Sequence, residues 1–336
     1  MTHPRAAGPI VGEAEIIAIL APLTARFPGA FALTDDCAMF APEPGSEIVL
    51  NTDAVAAGVH FFADDAAADI AWKALAVNVS YLTAKGARPR VYLMALAFPE
   101  APQRAWVEDF ARGLAAAQEQ FGLVLAGGDT DRRPGPLSVT IAAIGEVPTG
   151  AMVRRGAARP GDVLYVSGQL GDAALGLMLR RDGALAARWG LDAANAEALV
   201  ARYFRPAPRI ELAPVLRAHA RAALDLSDGL VKDLGRMAAA SGCGAAIDGD
   251  ALPLSAAARI AFAADPALRI VVLSGGDDYE VLAAVAPDAA AAFEAAAGGS
   301  GVAVTAIGVM TDGSGVRVHD RAGRTVAVPA DGWDHF

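Results

Sequence analysis

Two spacings of apolar residues recur along the chain and predict its helices and strands. Apolar residues three or four positions apart indicate amphipathic helices, whereas short continuous apolar runs indicate buried strands. The predicted helices cover 12–20, 66–85, 102–120, 194–203, 210–220, 229–240 and 289–297, with one more opening at Gly171. The predicted strands cover 47–51, 91–98, 123–126, 137–145, 162–168, 222–228 with its turn, 270–273, 279–286 and 302–309. Because strands and helices alternate in both halves, we predict an α/β protein of the α+β type with mixed sheets.

The segment from Val147 to Gly161 interrupts this pattern. It is rich in proline and glycine and contains three arginines, as a connection between domains often does. We therefore predict two domains, 1–148 and 149–336, with a ligand cleft between them.

Aspartates follow several of the predicted strands, and glycines lie beside most of them. The run Leu123–Ala126 leads directly to Gly127, Gly128 and Asp129. Similar positions are held by Asp53, Asp225, Asp228, Asp277 and Asp278, and Asp35 and Asp36 form an earlier pair. Glycine leaves room for a ligand, and carboxylate oxygens are the ligands that Mg²⁺ prefers. Aspartate and glycine are also common in ordinary turns, but their repetition after four apolar runs favours a site for metal and phosphate.

Composition agrees with such a site. A hydrophobic content of 54% across 336 residues supplies a large core, and the net charge of −10 argues against binding to nucleic acid or to an anionic membrane. An acidic protein that binds a polyanion such as ATP needs cations between them. The sequence contains neither a Gly-x-x-x-x-Gly-Lys-Ser/Thr loop nor a strand-anchored Gly-x-Gly-x-x-Gly motif. The candidate metal ligands are therefore what indicates ATP binding. The two cysteines show no zinc or disulfide spacing, and the N-terminal segment lacks a signal pattern, so we expect a cytoplasmic protein.

Longer motifs carry a resemblance to a known family. They are Asp35-Asp-Cys-Ala38, Thr52-Asp53, Gly58-Val-His-Phe61, Lys73-Ala-Leu-Ala-Val-Asn-Val-Ser80, Gly127-Gly-Asp-Thr130, Arg159-Pro-Gly-Asp162, Asp225-Leu-Ser-Asp-Gly-Leu230, Gly275-Gly-Asp-Asp-Tyr-Glu280 and the final Gly332-Trp-Asp-His-Phe336. In this combination the chain resembles thiamine-monophosphate kinase, within the ATP-binding superfamily of aminoimidazole ribonucleotide synthetase. The resemblance implies that superfamily's two-domain fold and a homodimer.

The resemblance also implies an activity and a set of site residues. The activity is transfer of the γ-phosphoryl group of ATP to thiamine monophosphate, which gives thiamine diphosphate. The implied Mg²⁺ ligands are Asp36, Asn51, Thr52, Asp53, Asp129, Asp225 and Asp228. The implied nucleotide contacts are Gly128, Asp129, Arg155 and Ser227, and the implied substrate contacts are His60, Asp277 and Trp333. Asp129, Asp228 and Arg155 are the implied catalytic residues, because this chemistry rests on aligning and neutralising two polyanions.

Several of these residues have a structural alternative. Ser227 could cap the helix that opens at Asp228-Gly229, and His60 could be a packed loop residue. Arg154 competes with Arg155 for the same role, and Trp333 could belong to the core. Lys73 is expected to be structural or to form an ion pair.

One position departs from the family's pattern. The family's helix reads Val-Asn-Leu-Ser-Asp-Leu-Ala-Ala-Met-Gly, with an aspartate that is a shared Mg²⁺ ligand, but here Tyr81 occupies that position and Lys85 follows one turn later. This favours an alternative in which the chain binds ATP or thiamine phosphate but catalyses weakly. A second alternative is selenide water dikinase, which is expected to carry a reactive cysteine or selenocysteine in an N-terminal glycine-rich segment. Here Cys37 instead follows the aspartate pair.

Overall fold

The structure is a computed structural model that describes residues 8–328. Its helices are α1 (Glu13–Leu20), α2 (Ala67–Ala84), α3 (Arg104–Phe121), α4 (Asp172–Arg181), α5 (Leu185–Arg188), α6 (Ala193–Phe204), α7 (Ala213–His219), α8 (Leu230–Ser241), α9 (Ala256–Ala264), α10 (Leu268–Ser274) and α11 (Ala290–Gly299). Its strands are β1 (Ser46–Ala56), β2 (Arg88–Phe98), β3 (Val124–Arg132), β4 (Ser138–Pro148), β5 (Val163–Ser167), β6 (Ala220–Asp225), β7 (Gly244–Asp248), β8 (Val281–Val285), β9 (Val304–Thr311) and β10 (Val316–His319). Short 3₁₀ helices cover Ala21–Thr24, Pro28–Leu33, Ile210–Leu212 and Pro287–Ala289.

These elements form two compact units, as a two-domain α/β chain should. The first unit contains the described residues up to Leu82 together with Pro89–Glu146. The second contains Thr83–Arg88 and the described residues from Val147 onward. The six residues that end α2 and begin β2 thus group with the second unit.

The first unit is built on a four-stranded sheet of order β1-β4-β2-β3, in which β2 and β3 are parallel. Its helix α3 buries a stripe at spacings of three and four residues, as its sequence pattern predicts. The stripe is Val107, Phe110, Leu114, Ala117 and Phe121. Helix α2 is apolar on nearly every side and is correspondingly buried, and its Trp72 meets Phe121 of α3 edge to face.

The second unit is built on a six-stranded sheet of order β10-β7-β9-β5-β8-β6. Only β7 and β10 are parallel among the described pairs, and the others are antiparallel. Both faces are covered, because β5 sends Leu164 and Val166 into the cluster that contains α8 and sends Tyr165 into the cluster that contains Phe293 of α11. Alternate side chains of one strand thus serve two cores.

The predicted strand at 270–273 is wrong, because this run lies in helix α10. A short apolar run fits a buried helix as well as a strand, and here Leu268 and Val272, four residues apart, face the core together. Among the described residues, no helix is both long and apolar enough to cross a membrane.

Candidate active site

Three of the expected metal ligands lie inside strand β1, so the prediction that this strand ends before Thr52 is wrong. Side chains alternate along a strand, and Asn51 and Asp53 share a face with the buried Val49 and Val55. Thr52 points the other way, and its hydroxyl donates to the carbonyl oxygen of Ile141 over 3.0 Å. The structure therefore does not bring the Thr52 hydroxyl together with the Asp53 carboxylate.

The side-chain oxygen of Asn51 is buried and, among the described residues, has an unused capacity to accept a hydrogen bond or to bind a cation. Its amide nitrogen donates to Oδ1 of Asn78 on α2 over 2.7 Å. Its own Oδ1 is buried and meets no hydrogen-bond donor in residues 8–328. A buried oxygen of this kind is costly unless water or a cation pairs with it. The side chain fits a hard cation such as Mg²⁺.

Strand β3 also continues through its aspartate, so the expected break at Gly127 and Gly128 does not occur. Strand β2 lies so close to Gly128 that only glycine fits at this position, because a Cβ on residue 128 would lie 1.9 Å from the carbonyl oxygen of Met94. Asp129 pairs in register with Ala95 of β2 and is exposed, and its Oδ1 accepts the N–H of Thr130 over 2.9 Å. An exposed carboxylate on an edge strand is open to a ligand.

His60 and Lys73 are joined at the loop that follows β1. The Lys73 ammonium is buried on α2 and donates to the carbonyl oxygen of His60 over 2.9 Å, which fits the structural role expected for it. His60 Nδ1 accepts the N–H of Ala56 over 3.1 Å. The backbone of this loop and one ring nitrogen of His60 are thus held by the protein.

Asp36 is exposed in the loop before β1. The neighbouring Asp35 accepts the N–H of Cys37 over 3.2 Å, which is an ordinary Asx turn.

In the second unit, Asp225 ends strand β6 as predicted and is buried. Gly229, rather than Ser227, is the N-cap of α8, so the capping role considered for Ser227 is wrong. The backbone N–H groups of Ser227 and Asp228 instead donate to Oδ2 of Asp233, over 3.0 and 2.9 Å. An acidic residue in the first helical turn thus orients the preceding turn.

Asp228 is held from two further sides. Its Oδ1 accepts the Ser227 hydroxyl over 3.2 Å, and its Oδ2 pairs with Arg236 Nη2 over 2.5 Å. Arg236 also pairs with Asp233, through Nη1 over 2.7 Å.

A second segment, 275–279, lies against this turn. The N–H of Asp277 donates to Ser227 O over 2.9 Å, and the N–H of Tyr279 donates to Leu226 O over 2.8 Å. A Cβ on Gly276 would lie 2.3 Å from Ser227 O, so only glycine permits this approach. Asp277 and Tyr279 adopt positive φ angles of 68° and 49°, which are uncommon for residues with side chains. The packing of this segment against the turn therefore outweighs the local backbone preference of Asp277 and Tyr279.

Positive charges gather beside Asp225. Lys85 Nζ donates to Ala223 O over 2.7 Å, two residues before Asp225 on β6. Burial lowers the pKa of Lys85 to about 8; the Asp225 carboxylate acts in the opposite direction, and the Arg155 guanidinium lowers the pKa further. Arg155 itself is exposed.

The expected ligands do not form a ready cluster. Within residues 8–328, no group of three or more histidine, cysteine, aspartate or glutamate side chains is close enough to hold a metal ion. The expected substrate contact Trp333 lies outside the described residues.

Comparison with known proteins identifies the family. Residues 34–147 match the family described as "AIR synthase related protein, N-terminal domain", and residues 159–321 match its C-terminal domain. The thiamine-monophosphate kinase of Caulobacter vibrioides is 42% identical over 335 residues, covering 98% of this chain and 92% of that protein. That of Escherichia coli K12 is 41% identical over 302 residues, covering 90% of each chain. This chain belongs to the thiamine-monophosphate kinase family.

Solved structures agree with the family and the fold. The thiamine-monophosphate kinase of Stenotrophomonas maltophilia K279a superposes with a TM-score of 0.81 at 38% identity, covering 96% of this chain and all of that one. A structure described as AaThiL complexed with AMPPCP and TMP superposes with a TM-score of 0.76 at 30% identity, covering 93% and 98%. The Escherichia coli hydrogenase maturation protein HypE, at 23% identity, covers 94% and 96% with a TM-score of 0.76, which shows a shared fold alone. The predicted two-domain mixed α/β fold is confirmed.

The site residues predicted from the sequence do not include all of the residues that contact the aspartate turn. Asp233 and Arg236 lie on α8, just beyond the Asp225–Leu230 motif, and contact its turn. The signal was available, because an acidic residue in a first helical turn commonly accepts the free N–H groups there.

A second missed group lies at the start of β8. Glu280 is fully buried, accepts the Ser167 hydroxyl over 2.6 Å, and pairs with both Arg202 and Arg209. The two arginines come from distant parts of the sequence, so no local pattern predicts this group.

Proposed function

We propose that this chain transfers the γ-phosphoryl group of ATP to thiamine monophosphate and releases thiamine diphosphate and ADP. The observation that carries the proposal is the 42% identity to a thiamine-monophosphate kinase over 98% of the chain, across both domains. The related ThiL protein complexed with AMPPCP and TMP supports the same pair of substrates, since AMPPCP is an analogue of ATP.

The acceptor needs no general base from the protein. The phosphate of thiamine monophosphate is an anion at neutral pH, so its oxygen attacks without first losing a proton to the protein. The P–O bond to the new bridging oxygen forms as the bond between the β–γ bridging oxygen and the γ-phosphorus breaks, and ADP takes the electron pair. Such a reaction requires in-line placement and neutralisation of charge.

We assign the metal to oxygen ligands. The proposed Mg²⁺ ligands are Asp36, Asn51, Thr52, Asp53, Asp129, Asp225 and Asp228. The buried acceptor Oδ1 of Asn51 and the exposed carboxylate of Asp129 support this assignment. For Thr52, the donor is its backbone carbonyl or its hydroxyl oxygen, which points away from Asp53. Bound Mg²⁺ would neutralise phosphate charge and polarise the transferred group.

The remaining residues bind and orient the substrates. Gly128, Asp129, Arg155 and Ser227 are proposed to contact the nucleotide, with Asp129, Asp228 and Arg155 acting in catalysis. His60, Asp277 and Trp333 are proposed to contact thiamine monophosphate. The hydrogen bond from Asp277 N–H to Ser227 O supports a shared location for the second unit's nucleotide and substrate groups. We retain the division into an N-terminal ATP- and Mg²⁺-binding domain, 1–148, and a C-terminal domain, 149–336, that completes the site.

We further propose a cytoplasmic homodimer. One face of the first unit's sheet exposes large apolar side chains, among them Leu50 at 70%, Ile48 at 43% and Leu93 at 43%. Both edge strands, β1 and β3, carry residues of the proposed site. An apolar sheet face of this kind is typical of a protein–protein contact, and a second copy of the chain is the partner that the family resemblance favours.

The direct test is formation of thiamine diphosphate from ATP, Mg²⁺ and thiamine monophosphate, followed by chromatography. We expect product with thiamine monophosphate, none with unphosphorylated thiamine, and none with excess chelator. Chelation should also weaken nucleotide binding, because the acidic site otherwise repels the triphosphate. If AMPPCP binds but no thiamine diphosphate forms at any Mg²⁺ concentration, the chain is a binder rather than a kinase.

A further inference from the structure

Arg236 bridges two carboxylates that differ in their surroundings. Its Nη1 pairs with Asp233 Oδ1 over 2.7 Å and its Nη2 with Asp228 Oδ2 over 2.5 Å. The Asp233 side chain is 3% exposed, whereas that of Asp228 is 22% exposed and that of Arg236 is 41% exposed. One end of the guanidinium is therefore anchored inside the protein, and the other end meets a carboxylate that solvent can reach.

The anchored end is fixed by further contacts. Oδ2 of Asp233 accepts the N–H groups of Ser227 and Asp228, so Asp233 is held by the turn while Oδ1 holds Arg236. Asp233 and Arg236 are three residues apart on α8, and their pairing follows from helix geometry. The guanidinium can lose its contact with Asp228 without leaving the site.

Asp228 is one of the metal ligands in the proposed function, and this inference rests on that function. Arg236 supplies a positive charge that neutralises Asp228. A divalent cation held by Asp228 would supply this positive charge instead, and Nη2 of Arg236 would then be available to another acceptor. Phosphate oxygens bind the same cation, and a planar guanidinium is well suited to them.

We propose that Arg236 is a phosphate-binding residue. Its guanidinium pairs with Asp228 when no cation is bound there, and donates to a phosphate oxygen of the substrate when Asp228 binds a cation. The phosphate belongs to the nucleotide or to thiamine monophosphate, which share this chemistry. Asp233 is the positioning residue that keeps the guanidinium in place during the exchange.

The proposal predicts opposite effects on two ligands when Arg236 is removed. Without Arg236, a cation no longer competes for Asp228, so metal alone should bind more tightly. The substrate phosphate loses a charge-assisted donor, so metal-bound substrate should bind more weakly. A purely structural arginine would weaken both, because its loss would disorder the turn.

Calorimetric titrations of Arg236→Gln test this prediction with three probes: Mn²⁺ alone, AMPPCP with Mg²⁺, and thiamine monophosphate with Mg²⁺. We expect Mn²⁺ to bind about two- to five-fold more tightly, as for loss of a partly exposed ion pair. Either AMPPCP or thiamine monophosphate should bind at least about ten-fold more weakly, and the one affected identifies the phosphate. Arg236→Lys should recover part of that affinity, although an ammonium group cannot span both carboxylates.

Arg324→Gln is the matched control, since it removes an arginine that pairs with Asp320 on the surface of the same unit. It should leave all three affinities unchanged. Weaker binding of both Mn²⁺ and substrate in Arg236→Gln, or no change in either, would overturn the proposal.

A measurement on the parent protein covers the case in which Arg236→Gln does not fold. A crystal structure with Mg²⁺ and AMPPCP, and another with thiamine monophosphate added, should place Nη2 within about 3.2 Å of a phosphate oxygen. Retention of the Asp228 pair in both would contradict the exchange. The proposed function has its own test: it would be wrong if the parent protein formed no thiamine diphosphate, whatever Arg236 contacts.

Discussion

Asp53 and Asp129 lie on the two edge strands of one four-stranded sheet, with β4 and β2 between them. Strands in a sheet are spaced by about 4.8 Å, so three spacings separate the two strands by about 14 Å. A Mg²⁺ ion binds oxygen at about 2.1 Å and can bridge ligands only about 4 Å apart. Within one sheet, these two carboxylates are therefore too far apart to bind the same ion, so the proposed function requires a separate Mg²⁺ ion for each.

Asp129→Asn should abolish transfer while leaving the fold intact. The amide keeps the size of the side chain but removes the negative charge that strengthens Mg²⁺ binding at this position, and we expect kcat to fall about 100-fold or more. Because Asp129 is exposed and its carboxylate accepts the N–H of the adjacent Thr130, the free energy of unfolding should change by less than about 0.5 kcal/mol. Steady-state kinetics and urea unfolding measure the two effects.

The matched control is Asp312→Asn, which removes an exposed carboxylate outside the proposed ligand set. It should keep parental activity. Parental turnover in Asp129→Asn would remove this residue from the catalytic set.

Tyr81→Asp should raise turnover and lower the Mg²⁺ concentration needed for half-maximal rate. Tyr81 lies near the end of α2, half-buried, at the position of the family's shared metal ligand. A neutral phenol, with an ordinary pKa near about 10, is a poor Mg²⁺ ligand compared with a carboxylate. A Mg²⁺ titration of the rate compares the two proteins, with Tyr81→Phe as the control that adds no charge. If the curves of parent and Tyr81→Asp coincide, this position is not used by the metal and the idea of a weakened enzyme loses its basis.

Leu50→Asp should dissociate the proposed homodimer. Leu50 is 70% exposed on the apolar face of β1, where an added carboxylate would be buried by a second copy. A buried unpaired charge costs several kcal/mol, enough to shift a dimer to monomer at micromolar concentration. Sedimentation velocity measures the mass, and Ile260→Asp on α9 of the other unit is the control. A parent protein that sediments as a monomer would refute the dimer itself.

Asp278→Asn should reduce the amount by which the free energy of unfolding falls as pH rises. Burial raises the pKa of Asp278 well above its usual value, with Glu280 and Asp172 adding to the rise and Gly171 N–H and Arg202 opposing it. The folded protein therefore keeps this proton where the unfolded chain has lost it, and the free energy of unfolding falls as pH rises above about 4. Asparagine cannot titrate, so the stability of the variant relative to the parent should improve as pH rises. Urea unfolding between pH 4 and 8 measures this difference. A difference that is constant with pH would show that Asp278 does not titrate as expected.

Local sequence was sufficient for most helices and strands. Helix α3 has one apolar stripe at helical spacing, and β6 has a short apolar run that ends at Asp225, so each element needs only its own residues to be recognised. The run at 270–273 was misassigned because a few apolar residues satisfy a helix and a strand equally well. Strands β1 and β3 were predicted too short, since their polar ends remain strand by pairing with neighbours that the local sequence does not reveal.

The sequence by itself determined the family and the identity of the candidate ligands, because motifs such as Asp225–Leu230 and Gly275–Glu280 are contiguous and combine residue types that few families share. Only the tertiary structure decided how those ligands are held. It placed Asp53 and Asp129 on opposite sheet edges, directed Thr52 away from Asp53, and joined Arg236 to Asp228. Strand order and strand length depend on pairing between segments distant in sequence, and the local pattern of residues does not encode that pairing. The Arg236–Asp228 pair depends on how the turn packs on α8, of which the sequence shows only the acidic residue in the first helical turn.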